Sequence, residues 1–339
     1  MDDKQNTSRV ELIEKIEKAR NSHVICYITG DRDKFNTQIG EDVIPILFRH
    51  LELIGNQDNI DFFVYTRGGE MVVPIRIVKL IRNYCKKFGI LIPFRAHSAG
   101  TLIALGADEI IMTKLGELTP VDPRTRHPFN PIDGKNILEI SVEDITSYLL
   151  LAKEKGNVSR KRMHDIYNNL TKHSYSDPKH LHPLALGNVY RAQRMIRDLS
   201  KKLLNLHTVT GNFKKRKIVK KIVNEITSDI CIHNYPIYRD EAKDLGLNVI
   251  LPNEELEKLL WQLYEKYAND MELQKQFSPV EILGGHSEIS IKYGAANIES
   301  VNALDTFYFN IRINEIKTPQ ALMPSVNVQV ISAAWEKVR

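Results

Sequence analysis

The chain has 339 residues, 42% hydrophobic and 26% charged, a globular composition that excludes a wholly disordered or fibrous protein. A formal net charge of +5 is mild for this length and does not by itself imply a nucleic-acid partner. The three cysteines Cys26, Cys85 and Cys231 are odd in number, far apart and without metal-ligand spacing. That argues against a disulfide framework or a metal site and for a reducing compartment.

The N-terminus is polar and lacks a signal-peptide core, and no apolar run approaches the roughly 20 residues a membrane span needs. A soluble, cytoplasmic protein without a membrane span is therefore expected. Val10 to Arg20 reads as an amphipathic helix through Leu12, Ile13 and Ile16. A short apolar strand, His23 to Thr29, ends at Gly30-Asp31. Val43, Ile44, Leu47, Leu51 and Ile54 then recur at helical spacing and stop at Gly55. Ile60 to Thr66 forms a second strand that runs straight into Arg67-Gly68-Gly69-Glu70. The next helix carries Val73, Ile77, Val78, Ile81, Tyr84, Cys85 and Phe88 on one face, with Gly89 as its terminator.

A buried strand from Ile90 to Ala96, a sharp turn at His97-Ser98 and an apolar helix closed by Gly106 come next, then a strand at Glu109 to Thr113. Such alternation predicts an α/β fold, a parallel sheet flanked by helices with active groups at the carboxyl ends of the strands. Gly68-Gly69 and Ser98 both fall at such ends. Gly116 to Lys135 is loop-like and contains Leu118-Thr-Pro-Val-Asp122-Pro. Ser141 followed by Asp144 marks a helix start. Leu181-His182-Pro-Leu-Ala-Leu-Gly187 leads into a long helix through Val189, Ile196, Leu199, Leu203 and Leu204.

The basic run Lys214 to Lys217 interleaves with Ile218, Val219, Ile222 and Ile226. It reads as the solvated face of a helix, so no nucleic-acid partner is expected. Asn253 caps a helix with Leu256, Leu260, Leu263, Tyr264 and Tyr267. Beyond Gly284-Gly285, alternating segments at Ser287 to Tyr293, Thr306 to Ile313 and Val326 to Ile331 suggest a small β-rich extension.

The chemistry centres on Ser98. A serine at a strand-to-helix corner, backed by a helix N-terminus, is well placed as a nucleophile whose attack generates an oxyanion. Glycines at 68 and 69 let backbone N–H groups approach a substrate closely, and the N–H of Ala99 can join them. Read alone, the Gly-Gly pair is a tight turn and Ser98 a small-residue corner. Their partnership at neighbouring strand ends is what points to acyl transfer.

Arg67-Gly68-Gly69 after a strand, Ala96-His-Ser-Ala-Gly-Thr-Leu-Ile-Ala-Leu-Gly-Ala-Asp108, Leu118-Thr-Pro-Val-Asp-Pro123 and His182-Pro-Leu-Ala-Leu-Gly187 together resemble the serine dehydrogenase proteinase family. That family groups with the signal peptide peptidase A type and with the proteolytic subunit of Clp protease, within the Clp/crotonase superfamily. The resemblance spans roughly residues 23–250. It implies a Clp/crotonase spiral of repeated ββα units and a serine peptidase with Ser98 as nucleophile and Gly68 and Gly69 in the oxyanion hole. On this reading residues 1–22 are a leading amphipathic helix, 23–250 the peptidase domain, 251–285 a helical segment and 286–339 an extension.

In the Clp proteolytic subunit a histidine follows the serine on the loop after the next strand, and an aspartate comes later, ahead of an Ala-x-x-x-Gly-Leu helix. Here the first position falls on Asp122 and the later one near His233, so the two roles can have exchanged, with His233 as base and Asp122 orienting it. Triads are defined by geometry rather than chain order. His182 is an alternative base, or else the cap of the helix after it. A Ser–Lys dyad would need a desolvated Lys153 or Lys155, and His97 is expected to shape the pocket. No Gly-x-Gly-x-x-Gly fingerprint is present, so no NAD or other cofactor is expected. The resemblance further implies an ATP-independent endopeptidase acting on peptide or protein substrates as a ring-like homo-oligomer. A crotonase-like acyl-CoA enzyme and a catalytically silent scaffold are the rival readings.

Overall fold

The computed structural model describes residues 8–122, 124–156, 159–171, 181–207, 213–229, 234–316 and 325–339. The chain divides into two compact units, Met1–Leu118 with Tyr238–Arg339, and Thr119–Ile237. Each is taken by itself.

In the first unit α1 (Arg9–Arg20) starts at a reciprocal cap, in which the Ser8 hydroxyl accepts the Glu11 N–H and the Glu11 carboxylate accepts the Ser8 N–H. There follow β1 (His23–Thr29), α2 (Val43–Ile54), β2 (Gln57–Tyr65), α3 (Val73–Arg82) and β3 (Cys85–Ile92). β4 (Arg95–Ala96), α4 (Ala99–Leu105), β5 (Glu109–Met112) and β6 (Glu117–Leu118) complete its first half.

Among its described residues, the second unit holds two small ribbons and four α-helices. β7 (Arg124–Thr125) pairs with β10 (Ile140–Ser141), and β8 (Ile132–Asp133) with β9 (Asn136–Ile137). The helices are α5 (Val142–Glu154), α6 (Met163–Thr171), α7 (Pro183–Leu204) and α8 (Phe213–Asn224). Buried Ala185, Val189, Ile196 and Leu203 of α7 and Val219, Ile222 and Val223 of α8 form its apolar interior. The basic run thus lies on a helix with a buried apolar face, as its periodicity predicts.

The chain then returns through β11 (Ile237–Tyr238), α9 (Arg239–Leu245), β12 (Val249–Ile250), α10 (Glu254–Asp270) and α11 (Pro279–Leu283). It ends in β13 (Glu288–Ser300), β14 (Ala303–Ile316) and β15 (Ser325–Lys337). The main sheet runs β12-β5-β3-β2-β1-β13-β14-β15. β12 through β1 are parallel and the last three strands antiparallel. One apolar cluster joins Leu12, Ile13 and Ile16 of α1 and Leu260, Leu263, Tyr264 and Tyr267 of α10 to Cys26, Phe63, Leu91 and Ile111 of the strands. A second gathers Phe35, Phe277, Leu283, Tyr293, Ile311 and Ile313 under the C-terminal strands.

One expectation changes. The helix expected to run to Gly89 stops at Arg82, and Cys85, Phe88 and Gly89 lie on β3. Gly89 is there for space, not termination. A Cβ would sit 1.9 Å from Asp61 Oδ1, and that buried carboxylate is held by Arg20 Nε at 2.9 Å and the Ser22 hydroxyl at 2.8 Å. The β-rich C-terminal segment expected beyond Gly285 forms β13 to β15 and extends the main sheet, β13 pairing antiparallel with β1 through Cys26↔Glu299 to Thr29↔Ala296. Beyond β1 the Gly30 N–H donates to the Ala295 carbonyl at 2.8 Å, and the Thr37 hydroxyl donates to the same oxygen at 2.9 Å. The loop after β1 is thereby tied to β13.

Candidate active site

Ser98 occupies the corner between β4 and α4 with φ 50° and ψ −105°. A side-chain-bearing residue is strained at positive φ, and such strain persists only where the surroundings over-determine it. Those surroundings are visible. The Thr66 N–H donates to the Arg95 carbonyl at 2.9 Å and the His97 N–H to the Thr66 carbonyl at 3.1 Å, which locks β4 alongside the end of β2. On the far side, the Gly100 N–H donates to the His97 carbonyl at 2.7 Å and the Leu102 N–H to the Ser98 carbonyl at 3.1 Å. Gly100 is small by necessity, because a Cβ there would meet Thr66 Cγ2 at 2.7 Å.

Gly68 packs directly against this corner. A Cβ on it would lie 2.9 Å from Ser98 Cβ and 3.4 Å from Ser98 Oγ, and its φ of 116° favours glycine independently. Its own N–H donates to the Thr66 hydroxyl at 3.0 Å. The Gly68 carbonyl accepts the Ile39 N–H and the Glu70 N–H donates to the Ile39 carbonyl, both at 2.9 Å. Because a trans peptide sets its N–H opposite its C=O, the Gly69 N–H points away from Ile39. A Cβ at Gly69 would strike the Ile39 carbonyl oxygen at 2.2 Å. The Ala99 N–H, in the first turn of α4, is outside the intrahelical bonding pattern.

Behind the corner runs a charged network. Asp31 Oδ2, just past β1, accepts from Arg67 Nε at 2.7 Å, from the Tyr65 hydroxyl at 2.9 Å and from Arg95 Nη1 at 3.3 Å. Glu117 Oε1 takes Arg95 Nε at 3.3 Å and lies 2.9 Å from His97 Nε2. Burial pushes the His97 imidazole down from its ordinary value, against the opposing pull of Glu117. His97, next to Ser98 in the chain, has its Nε2 engaged by Glu117. The sequence reading missed Asp31, Arg95 and Glu117, whose one signal was position, each at or just past a strand end.

The model of the ClpP-like SDH-type serine proteinases matches residues 1–185, more than half of the chain. The chain belongs to this family. The match takes in α1, which the residue-level resemblance left outside. Two relatives from Methanocaldococcus jannaschii are the uncharacterized proteins MJ1495, 26% identical and covering 78% of this chain and 77% of its own length, and MJ0137, 24% identical and covering 76% and 79%. ClpP1 from Listeria monocytogenes aligns at 14% identity and a TM-score of 0.35 over 71% of this chain and 98% of its own. The ClpP catalytic domain from Plasmodium falciparum aligns at 11% and 0.36 over 75% and 95%. Superpositions this loose support no residue-by-residue correspondence. The fold is ClpP-like on the strength of family membership.

The remaining expected residues of this proteinase-family chain lie in the second unit. Asp122 Oδ2 accepts the Ser141 hydroxyl at 2.8 Å, and that hydroxyl in turn accepts the Asp144 N–H at 3.2 Å to cap α5. His182 is the cap of α7, its Nδ1 accepting the Leu184 N–H at 3.1 Å, and its ring stacks on Phe129 at 4.5 Å. Lys153 and Lys155 are exposed. His233 lies outside the described residues.

The first unit also contains a serine–histidine–aspartate line away from Ser98. His50 Nδ1 lies 2.8 Å from the Ser300 hydroxyl and Nε2 lies 2.9 Å from Asp305 Oδ2, which Arg49 also engages. All three residues are buried. Sequence gave no sign of it, since the members come from α2, the end of β13 and the start of β14.

Proposed function

We propose that the chain is an ATP-independent serine endopeptidase in which Ser98 attacks the scissile carbonyl and carries the acyl group. The observation that supports this reading is the strained Ser98 corner pressed against Gly68. The serine hydroxyl and the backbone donors come from one rigid arrangement. The Gly69 and Ala99 N–H groups are the oxyanion donors. The Gly68 N–H is taken by Thr66, and the part of Gly68 in the oxyanion hole is to leave room for the tetrahedral intermediate. His233 accepts the Ser98 proton and returns it to the leaving amine, with Asp122 fixing the histidine tautomer. His182 is the alternative base, and its helix-capping bond disfavours it. Peptide or protein is the substrate, and assembly into a homo-oligomer restricts access.

A fluorophosphonate probe tests the reading. It labels the wild-type protein and not Ser98→Ala. Equal labelling of both sinks the assignment, and no labelling of either, with the fold intact, favours the silent scaffold. Saturable coenzyme A binding would point instead to the acyl-CoA chemistry.

A further inference from the structure

Asp31 joins the two chain segments that meet at the Ser98 corner. Its Oδ2 accepts from Arg67 Nε at 2.7 Å and from Arg95 Nη1 at 3.3 Å, with the Tyr65 hydroxyl at 2.9 Å on the same oxygen. Arg67 immediately precedes Gly68-Gly69, and Arg95 stands on the short strand that leads into Ser98. Arg95 carries the link further. Its Nε donates to Glu117 Oε1 at 3.3 Å, and the same oxygen lies 2.9 Å from Nε2 of His97, the residue before the serine.

A clamp positions other groups only where it is itself fixed, and both chain neighbours of Asp31 are fastened. The Gly30 N–H donates to the Ala295 carbonyl at 2.8 Å. Arg32 is buried, donates from Nε to the Lys275 carbonyl at 3.0 Å and pairs through Nη1 with Glu272 at 2.7 Å. Its guanidinium also lies 4.9 Å from the centre of the Tyr293 ring. The main chain ties the two segments at Thr66, through its N–H to the Arg95 carbonyl and its carbonyl to the His97 N–H. Those bonds stop one residue short of Arg67, and the ion pair continues the connection past that point.

The charge of Asp31 matters as much as its shape. Hydrogen bonds between ionised partners are roughly twice as strong as neutral ones, and two guanidiniums drawn to one oxygen repel once its charge is gone. Without it Arg67 and Arg95 part, and the Gly68–Gly69 backbone shifts against Ser98 while every group beside the serine is still present.

We infer that Asp31 is a positioning residue for acyl transfer at Ser98, its carboxylate clamping Arg67 to Arg95 and so setting the Gly69 amide against the serine hydroxyl. The inference rests on Ser98 being the nucleophile.

The test is the kinetics of fluorophosphonate labelling of the full-length protein, resolved into a maximal rate, kinact, and an apparent affinity, KI. Asp31→Asn keeps the side chain's size and removes its charge. It lowers kinact about 10- to 100-fold, as a small misplacement of reacting groups does, and leaves KI in place. Arg67→Gln, at a half-exposed side chain, does the same. The two together cost no more than the larger single loss, because both cut one tie. Asp61→Asn breaks the ion pair to Arg20 at the other end of β2, so it lowers the denaturant midpoint and keeps kinact. Wild-type kinact in Asp31→Asn, a change confined to KI, losses that multiply in the double variant, or an equal loss in Asp61→Asn would overturn the inference and leave Ser98 in its role. A wild-type protein that labels no better than Ser98→Ala removes both. If Asp31→Asn does not fold, Arg67→Gln decides by the same split.

Discussion

Ser98 and Ser300 stand in the same unit and invite opposite conclusions. Ser300 has the more complete set of partners, a histidine 2.8 Å away and an aspartate beyond it. Both serines are buried, Ser98 at 6% and Ser300 at 2% exposure, and Ser300, at the end of β13, has no positive φ. Ser98 has a strained backbone, a glycine against its Cβ and an amide turned outward from Gly69. The contrast teaches that a serine–histidine–aspartate line is a packing solution as readily as a catalytic one. What sets Ser98 apart is its backbone strain and the glycine packed against its Cβ.

The sharpest way to break that contrast is to remove each hydroxyl. Ser98→Ala abolishes probe labelling and lowers peptide hydrolysis by about 10⁴-fold or more. Ser300→Ala leaves labelling intact and costs about 1–3 kcal/mol of stability through the orphaned His50 nitrogen, read by denaturant titration. The base comes next. His233→Ala is expected to lower kcat by about 10⁴-fold, whereas His182→Ala loses a helix cap worth about 1 kcal/mol and keeps its turnover. The reverse pattern in kcat would reassign the base.

Gly69→Ala disturbs a donor and forces Ile39 to move. About 3 kcal/mol of transition-state stabilisation, roughly a hundredfold in kcat/KM, is expected to go with it. A smaller effect concerns pH. Burial lowers the imidazoles of both His50 and His97, so the native state binds fewer protons than the unfolded state below the ordinary histidine range of about 6.5. Stability is fully present above that range and falls as pH drops through it, until the native rings protonate. His50→Gln flattens that part of the profile, as denaturant midpoints at successive pH values will show.

The alternation of strand and helix, and with it the placing of Ser98 and Gly68-Gly69 at strand ends, was legible because burial period and short connections are local properties. The α3–β3 boundary was not. Gly89 looks like a stop in sequence, and only the Asp61 carboxylate across the sheet explains why it is glycine. The joining of β13 to β1 was equally hidden, since alternation marks a strand but does not name its neighbour. The Asp31, Arg95 and Glu117 network and the His50 line are long-range juxtapositions of common residue types, and no spacing announces them. The strand-to-helix corner at Ser98 was legible because its signal lies in consecutive residues.

One tie has a wider reach. Ala295 holds Gly30 and Thr37, and Ile39, a few residues on, holds the backbone of Gly68 and Glu70. The Gly68–Gly69 segment is thus braced from residues far outside the 1–185 stretch that matches the family. The backbone beside Ser98 is hostage to the chain's far end, and drift among the last strands can shift the Gly69 amide without altering any residue next to Ser98.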